Sequence, residues 1–223
     1  MKAFLIAAAV VLTAAPFTAP AKPAHAPAAP KTATQALPAG EYSLDKPHAS
    51  LTFTVSHMGF SHYTARFTSF DAHMTLDPAH PEKAQLTATI DPLSLELNAP
   101  PQGFHDELVG KDWLDARLTP QWMFKSTKIV KTGAKSAKVI GDFTMHGVTK
   151  PVTLEVTFNG GYPGLAGMDP HARIGFSAHG VLKRSDFGVK AGIPAHGTNL
   201  GVSDEVTIAI ESEFTGPALK DTK

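Results

Sequence analysis

The stretch "GDFTMHGVTKPVTLEV", Gly141 to Val156, decides the fold. Phe143 and Met145 alternate with Asp142 and Thr144. After the polar break at His146-Gly147, Val152, Leu154 and Val156 alternate with Thr153 and Glu155. Side chains two apart share one face of a strand. The stretch therefore predicts a strand over Asp142 to Met145, a tight turn, and a second strand after Pro151, together a hairpin. Gly147 is free to take φ > 0, and Pro151 suits a strand start, where no ladder donor is required. The Gly-Val-Thr-Lys-Pro corner is thus mainly structural, and Lys150 is its one side chain with a claim to chemistry.

The same period of two extends outward in both directions. Leu51, Phe53 and Val55 alternate with threonines, and Phe70, Ala72, Met74 and Leu76 follow the pattern beyond "SHYTARFTS". Leu86, Ala88 and Ile90 continue it, as do Ile174, Phe176 and Ala178, and finally Val206, Ile208, Ile210 and Phe214. Alternation of this kind marks strands with one wet face. Turn signals stand at Asp77-Pro78, Asp91-Pro92, Lys131-Thr132-Gly133, Asn159-Gly160-Gly161 and Gly192-Ile193-Pro194. Only "HDELVGKDWLDA", His105 to Ala116, argues for a helix, with acids at its start.

The sum is an all-β chain of about eight antiparallel strands with one short helical insertion. A sheet of that length closes to hide its edges, and an eight-stranded barrel is either filled by side chains or just wide enough for one small ligand. Alternation is compatible with both. If the interior is hollow, its apolar lining is drawn from Phe53, Val55, Phe70, Met74, Ile90, Phe124, Phe143, Phe176, Ile208 and Ile210.

The ends of the chain bound its surroundings. Met1-Lys2, an apolar run from Ala3 to Ala15 and a small-x-small site at Ala24-His25-Ala26 read as a secretory signal peptide over residues 1–26. The run is too short for a membrane-spanning helix, so no transmembrane span is expected. Residues 27–40, rich in Ala and Pro, read as an extended disordered lead. One domain is expected over residues 41–215, followed by a disordered tail over 216–223. With no cysteine the fold must hold by its core. Cleavage near Ala26 would remove Lys2 and Lys22, leaving the basic residues two short of the 20 acidic ones. So balanced a surface, taken as a whole, gives no electrostatic case for nucleic acid or for anionic lipid surfaces.

Several ordered motifs then resemble the YceI-like family of secreted proteins. "YSLDKPHASLTFTVSHMGFSHYTARFTSFDAHMTLDP" resembles its opening through His48, Phe53, His57, Gly59 and Phe67. "DELVGKDWLDARLTPQWMFKST" is similar to its helical insertion and following strand. "GDFTMHGVTKPVTLEV" resembles its most recognisable motif, and "LKRSDFG" with "SDEVTIAIESEF" its close. The resemblance covers roughly Glu41 to Phe214, the whole expected domain. It implies an extended antiparallel lipocalin-like barrel, export to the periplasm, and binding of a polyisoprenoid, isoprenoid quinone or other long amphiphilic lipid. It implies no catalytic residues and no cofactor. The sequence departs from the family pattern at Trp113-Leu114, at His146 and in "GYPGLAGMDPH".

The remaining chemistry-bearing residues form no motif. His57, His62, His105, His171 and His179 show no metal-ligand spacing, and His171 and His179 on one strand would stand more than about 20 Å apart. In "GFSAHG", Ser177 lacks the glycine spacing of a nucleophile elbow, and Asp106 and Glu107 suit a helix start. The reading is a binding protein rather than an enzyme. An enzyme acting on a lipid or quinone within the same barrel, and a stress-related interaction protein with a filled interior, are the alternatives. Lys150 and Arg184 are the candidate headgroup contacts, since a buried phosphate needs charge-assisted hydrogen bonds. Arg184 and Asp186 are expected on one strand face. Pairing of two barrels through an exposed edge would give a homodimer.

Overall fold

The computed structural model describes residues 36–219. The expected signal peptide, and the lead as far as residue 35, lie outside the described residues. The deciding hairpin is formed by β8 (Ser136–Met145) and β9 (Val148–Tyr162), paired from Met145↔Val148 to Ser136↔Thr157. Only His146 and Gly147 lie between them, with φ of 52° and 75°. Two successive positive φ angles are what a type I′ turn requires. Glycine adopts the conformation freely and histidine does not. His146 is held in it by its Nδ1–H, which donates to the Phe187 carbonyl at 3.1 Å.

The second strand begins at Val148, ahead of the expected start after Pro151, and Pro151 sits inside it opposite Asp142. There β9 has β8 on one side only, because its pairing with β10 (His171–Lys183) stops at Leu154↔Gly180. A strand tolerates proline where one side is unpaired.

The other elements complete a meander. They are β1 (Gly40–Leu44), β2 (Ser50–His57), β3 (Ser61–Phe67), β4 (Phe70–Leu76), β5 (Gln85–Ile90), β6 (Leu95–Glu96), α1 (Phe104–Leu108), β7 (Trp122–Lys131) and β11 (Val202–Ala218). An antiparallel ring runs β1-β4-β5-β7-β8-β9-β10-β11 and closes through Ser43↔Thr215 and Leu44↔Phe214. The expected all-β, eight-stranded barrel is therefore what the chain forms. The long strand β11 also carries β2, which carries β3, which carries β6. The first three strand paths, β1/β2, β3/β4 and β5/β6, are each broken midway by a short turn. At one end of the barrel the ring is closed; at the other a β2-β3-β6 ribbon forms one wall, and residues 97–121, carrying α1, connect β6 to β7.

Two local expectations are corrected. The helix spans only Phe104–Leu108, and the rest of the expected His105–Ala116 segment is a chain of turns in which Asp115 takes φ 42°. Gly110 is a poor helix residue, and the aspartates at 112 and 115 favour turns. Asn159-Gly160-Gly161 is not a turn but a bulge inside β9: Phe176 pairs with Phe158 and Gly175 with Gly160, leaving Asn159 unmatched. Its side-chain amide donates to Ser177 Oγ at 2.9 Å. The folded region also outruns its expected bounds. Tyr42 O–H donates to the Pro38 carbonyl at 2.7 Å, Leu37 packs on the core, and β11 continues to Ala218.

The closed end is solid. Tyr42, Leu44, Ala72, Met74, Leu76, Ala172, Ile174 and Phe214 form one buried cluster, with Phe158 and Phe176 against it. Gly216 is where the backbone approaches this cluster most tightly: a Cβ there would stand 2.2 Å from the fully buried Tyr42 ring. Gly216→Ala is expected to cost about 2 kcal/mol or more, since overpacked cores lose 1–3 kcal/mol. Chemical denaturation checks it, and an unchanged midpoint would show that the ring moves freely.

The divergent "GYPGLAGMDPH" segment is tied down by Asp169. Its carboxylate accepts from the His171 backbone N–H at 3.1 Å, Arg173 Nε at 2.8 Å and Tyr162 O–H at 3.1 Å. The His171 amide first, then Arg173, hold its pKa below the ordinary carboxylate value. A depressed pKa contributes stability above the unfolded value, near 3.9, and that contribution disappears as pH falls through the lower folded value. Asp169→Asn is therefore expected to lower the thermal midpoint at neutral pH, with the gap from the parent closing below about pH 4. A gap of equal size at both pH values would show that the charge is not what counts.

Candidate functional site

The open half of the barrel is hollow. A cavity of about 690 Å³ lies between the β2-β3 ribbon, the insertion, and the connection from β10 to β11. A smaller hollow of about 130 Å³ lies deeper, walled by Leu44, Ala72, Phe124, Leu154 and Phe214 among others. Both share Leu51, Ile90, Phe143 and Ile208 on their walls. The two hollows therefore adjoin across these four side chains, and the closed-end cluster bounds the inner one. Its volume is in the upper part of the roughly 300–1,000 Å³ typical of small-molecule sites.

The alternation of β2 and β11 builds these walls. Phe53 pairs with Ile208 and Val55 with Val206, so all four face the same side of the sheet. Aromatic rings form the centre: Phe53 and Phe67 lie 5.5 Å apart, and Trp122 stands edge-on to Phe67 at 5.2 Å and to Phe143 at 6.4 Å. Trp122 Nε1 is buried with no acceptor among the described residues.

Eight of the ten expected lining residues lie on these walls. Phe53 and Val55 face the larger cavity, Phe70, Phe124 and Ile210 the smaller, and Ile90, Phe143 and Ile208 both. Met74 and Phe176 do not. Both belong to the closed-end cluster, where Phe176 lies tilted against Phe158 at 5.6 Å and edge-on to Phe214 at 6.1 Å. Period-two alternation assigns a face but not a height along the barrel, so it does not separate these two from the rest.

The two expected cations separate. Lys150 is exposed on β9 and is not on the cavity wall. Arg184 is on the wall and is 6% exposed. It belongs to a 3-10 turn, Arg184–Phe187, so it does not share a strand face with Asp186. Its Nε donates to the Ser203 carbonyl at 3.0 Å, Nη1 to the carbonyls of Val189 at 3.3 Å and Ala191 at 2.6 Å, and Nη2 to that of Val202 at 2.9 Å. The guanidinium lies 5.4 Å from the Trp113 ring centroid. Burial draws its pKa below the usual value, with Asp204 opposing. Among the described residues no carboxylate forms an ion pair with it.

Sequence reasoning missed the mouth. Leu97, Phe104, Leu108 and Trp113 of the insertion, and Gly192 and Gly201 of the β10–β11 connection, border the cavity. Leu108 and Trp113 fall in the segment expected to be helical, but nothing local shows what they cover. A group outside the cavity, Asp45, His48 and Glu213, also brings ligand-type atoms together at the surface. Asp45 Oδ2 there already accepts from Arg173 Nη1 at 2.5 Å and lies 3.0 Å from His48 Nδ1.

Comparison with known proteins agrees with this architecture. A family model described as a YceI-like domain matches residues 42–214. A UPF0312 protein of Pseudomonas putida strain GB-1 is 39% identical over 172 residues, 75% of this chain and 86% of that protein. The crystal structure of Burkholderia cenocepacia BcnA matches with a TM-score of 0.63 and 28% identity, covering 76% of this chain and 98% of that one. A polyisoprenoid binding domain from Saccharophagus degradans, implicated in plant cell wall breakdown, shares the fold with a TM-score of 0.57 at 14% identity, covering 79% of this chain and 98% of that domain. By the extent of these matches over its whole barrel, the chain belongs to the YceI-like family.

Proposed function

We propose that the protein is a periplasmic carrier that sequesters a long amphiphilic lipid, a polyisoprenoid or isoprenoid quinone, in the hollow half of its barrel. The observation that carries this reading is the deep apolar cavity of about 690 Å³, adjoined by a second hollow. A globular interior that only needed to be stable would be close-packed. The polyisoprenoid binding domain of Saccharophagus degradans, built on the same fold, supports the ligand class. The leader-like residues 1–26 support export. Walls made almost wholly of apolar side chains support binding over turnover.

Arg184 supports a polar or anionic head near the mouth. Four of its five N–H groups are engaged by carbonyls, which leaves one donor and an unpaired positive charge on the wall. The tail's energetics fit a carrier. A chain of some forty carbons has a nominal transfer energy near 30 kcal/mol at about 0.8 kcal/mol per methylene, beyond the roughly 18–21 kcal/mol at which affinities saturate. The effective competitor is thus the bilayer, and net preference is small in either direction.

Native mass spectrometry of protein purified from its native host, followed by organic extraction, tests the reading. A stoichiometric isoprenoid or fatty chain is the expected result. A clean apo mass from such material would overturn it, and chemical conversion of the extracted lipid on incubation would favour an enzyme instead.

A further inference from the structure

Resting on the carrier reading, we infer that the mouth of the cavity docks on a lipid bilayer through two neighbouring loop tips, Phe60 and Leu200. Phe60 is 82% exposed in the turn between β2 and β3, and Leu200 is 71% exposed in the connection from β10 to β11. The two loops are joined: Met58 N–H donates to the Gly201 carbonyl at 2.8 Å, and Asn199 lies against Gly59. Residues within three positions of the tips, His57 and Met58 on one loop and Gly201 and Val202 on the other, are on the cavity wall. The two exposed apolar tips therefore stand within two or three residues of the cavity wall.

Charge favours a membrane as the occupant. Neither His57–His62 nor Phe187–Ser203 contains a carboxylate, whereas these segments hold Lys190 and three histidines, His57, His62 and His196. The acids nearest in sequence, Asp186, Asp204 and Glu205, stand at the base of the connection rather than at its tip, so the tips themselves present no carboxylate to an anionic lipid surface. The insertion across the opening differs: it carries Asp106, Glu107, Asp112 and Asp115 against Lys111 and Arg117. Contact is thus made on the two-tip side. Isolated large apolar side chains on short loops suit penetration of a fluid interface, where binding grows with buried apolar area. The cargo adds a kinetic reason. A long lipid that left the bilayer through water would expose its whole tail, while a mouth seated on the bilayer lets the tail pass between two apolar phases.

Co-sedimentation with sucrose-loaded vesicles of phosphatidylethanolamine and phosphatidylglycerol tests the docking. The protein is expected to sediment with vesicles, and Phe60→Asp with Leu200→Asp together to weaken that binding about tenfold or more. Met168 is the control, being 84% exposed in the β9–β10 loop at the closed end. Met168→Asp is expected to bind like the parent. Absence of vesicle binding by the parent, equal binding by the double variant, or equal loss with Met168→Asp would each overturn the inference. So would a dimer in sedimentation velocity that the double variant splits without any vesicle binding, which would assign the tips to a second copy. Cargo in the parent, read by native mass spectrometry, separates the two claims: a parent that carries lipid yet does not sediment with vesicles refutes the docking alone, and lipid absent from parent and variant refutes the carrier.

Discussion

Arg184→Met is expected to lower the thermal midpoint by about 6–12 °C, corresponding to roughly 3 kcal/mol for a domain of this size. Methionine fills much of the same space but donates nothing, so the carbonyls of Val189, Ala191, Val202 and Ser203 all lose their donor at once. Each buried polar group left unsatisfied costs about 1–3 kcal/mol, reduced where water enters from the mouth. Removing the charge also relieves the desolvation that depresses the guanidinium pKa, so the net loss is smaller than the sum of four bonds. Arg184→Lys is expected to recover only part, because a three-donor point charge cannot span four carbonyls arranged for a planar fork.

The loss should be local before it is global. Those carbonyls belong to the ends of the β10–β11 connection, and amide exchange at Val202, whose N–H donates to the Gly192 carbonyl at 2.8 Å, reports on it. Protection at Val202 should fall in the variant while that of the closed-end cluster persists. An unchanged midpoint together with unchanged protection would show that Arg184 is not what holds the mouth. The same variant bears on the ligand: retention of a polar-headed lipid at parental stoichiometry would remove Arg184 from head recognition.

What was legible in the sequence follows from what each signal encodes. Alternation in β2, β4, β5 and β11 encodes which side chains share a face, so the barrel and eight of the ten wall residues could be read directly. It carries no information on axial position, so Phe176 and Phe53 look alike although one is in a packed cluster and the other on a cavity wall. A Gly-Gly pair encodes backbone freedom without saying how it is used, and at Gly160-Gly161 it serves a bulge rather than a reversal. The role of Arg184 was the least legible part. Three of the carbonyls it binds lie 7 to 19 residues away along the chain and are named by no side chain, since any residue type supplies a backbone oxygen. The mouth was hidden for the same reason: it is assembled from three separate loops whose local sequences specify turns and nothing of their proximity.

Ile208→Trp is expected to empty the barrel while leaving it folded. Ile208 is on the walls of both hollows, opposite Phe53 on the neighbouring strand, at the level where the larger cavity gives way to the smaller. An indole there occupies space that a long tail must pass, and the empty volume around it accepts the ring without the strain that a filled core would impose. The effect on loading is large because the lipid's alternative is the bilayer. Every methylene kept out of the barrel is one the membrane still accommodates, at about 0.8 kcal/mol each, so excluding some four of them shifts the partition about a hundredfold toward the membrane. Native mass spectrometry should show the variant as apo protein under conditions that load the parent, with a thermal midpoint within about 3 °C of the unloaded parent. A variant that carried the same lipid at the same stoichiometry would show that the cargo does not run past Ile208. It would then be confined to the outer cavity, and a tail of forty carbons would be too long for it.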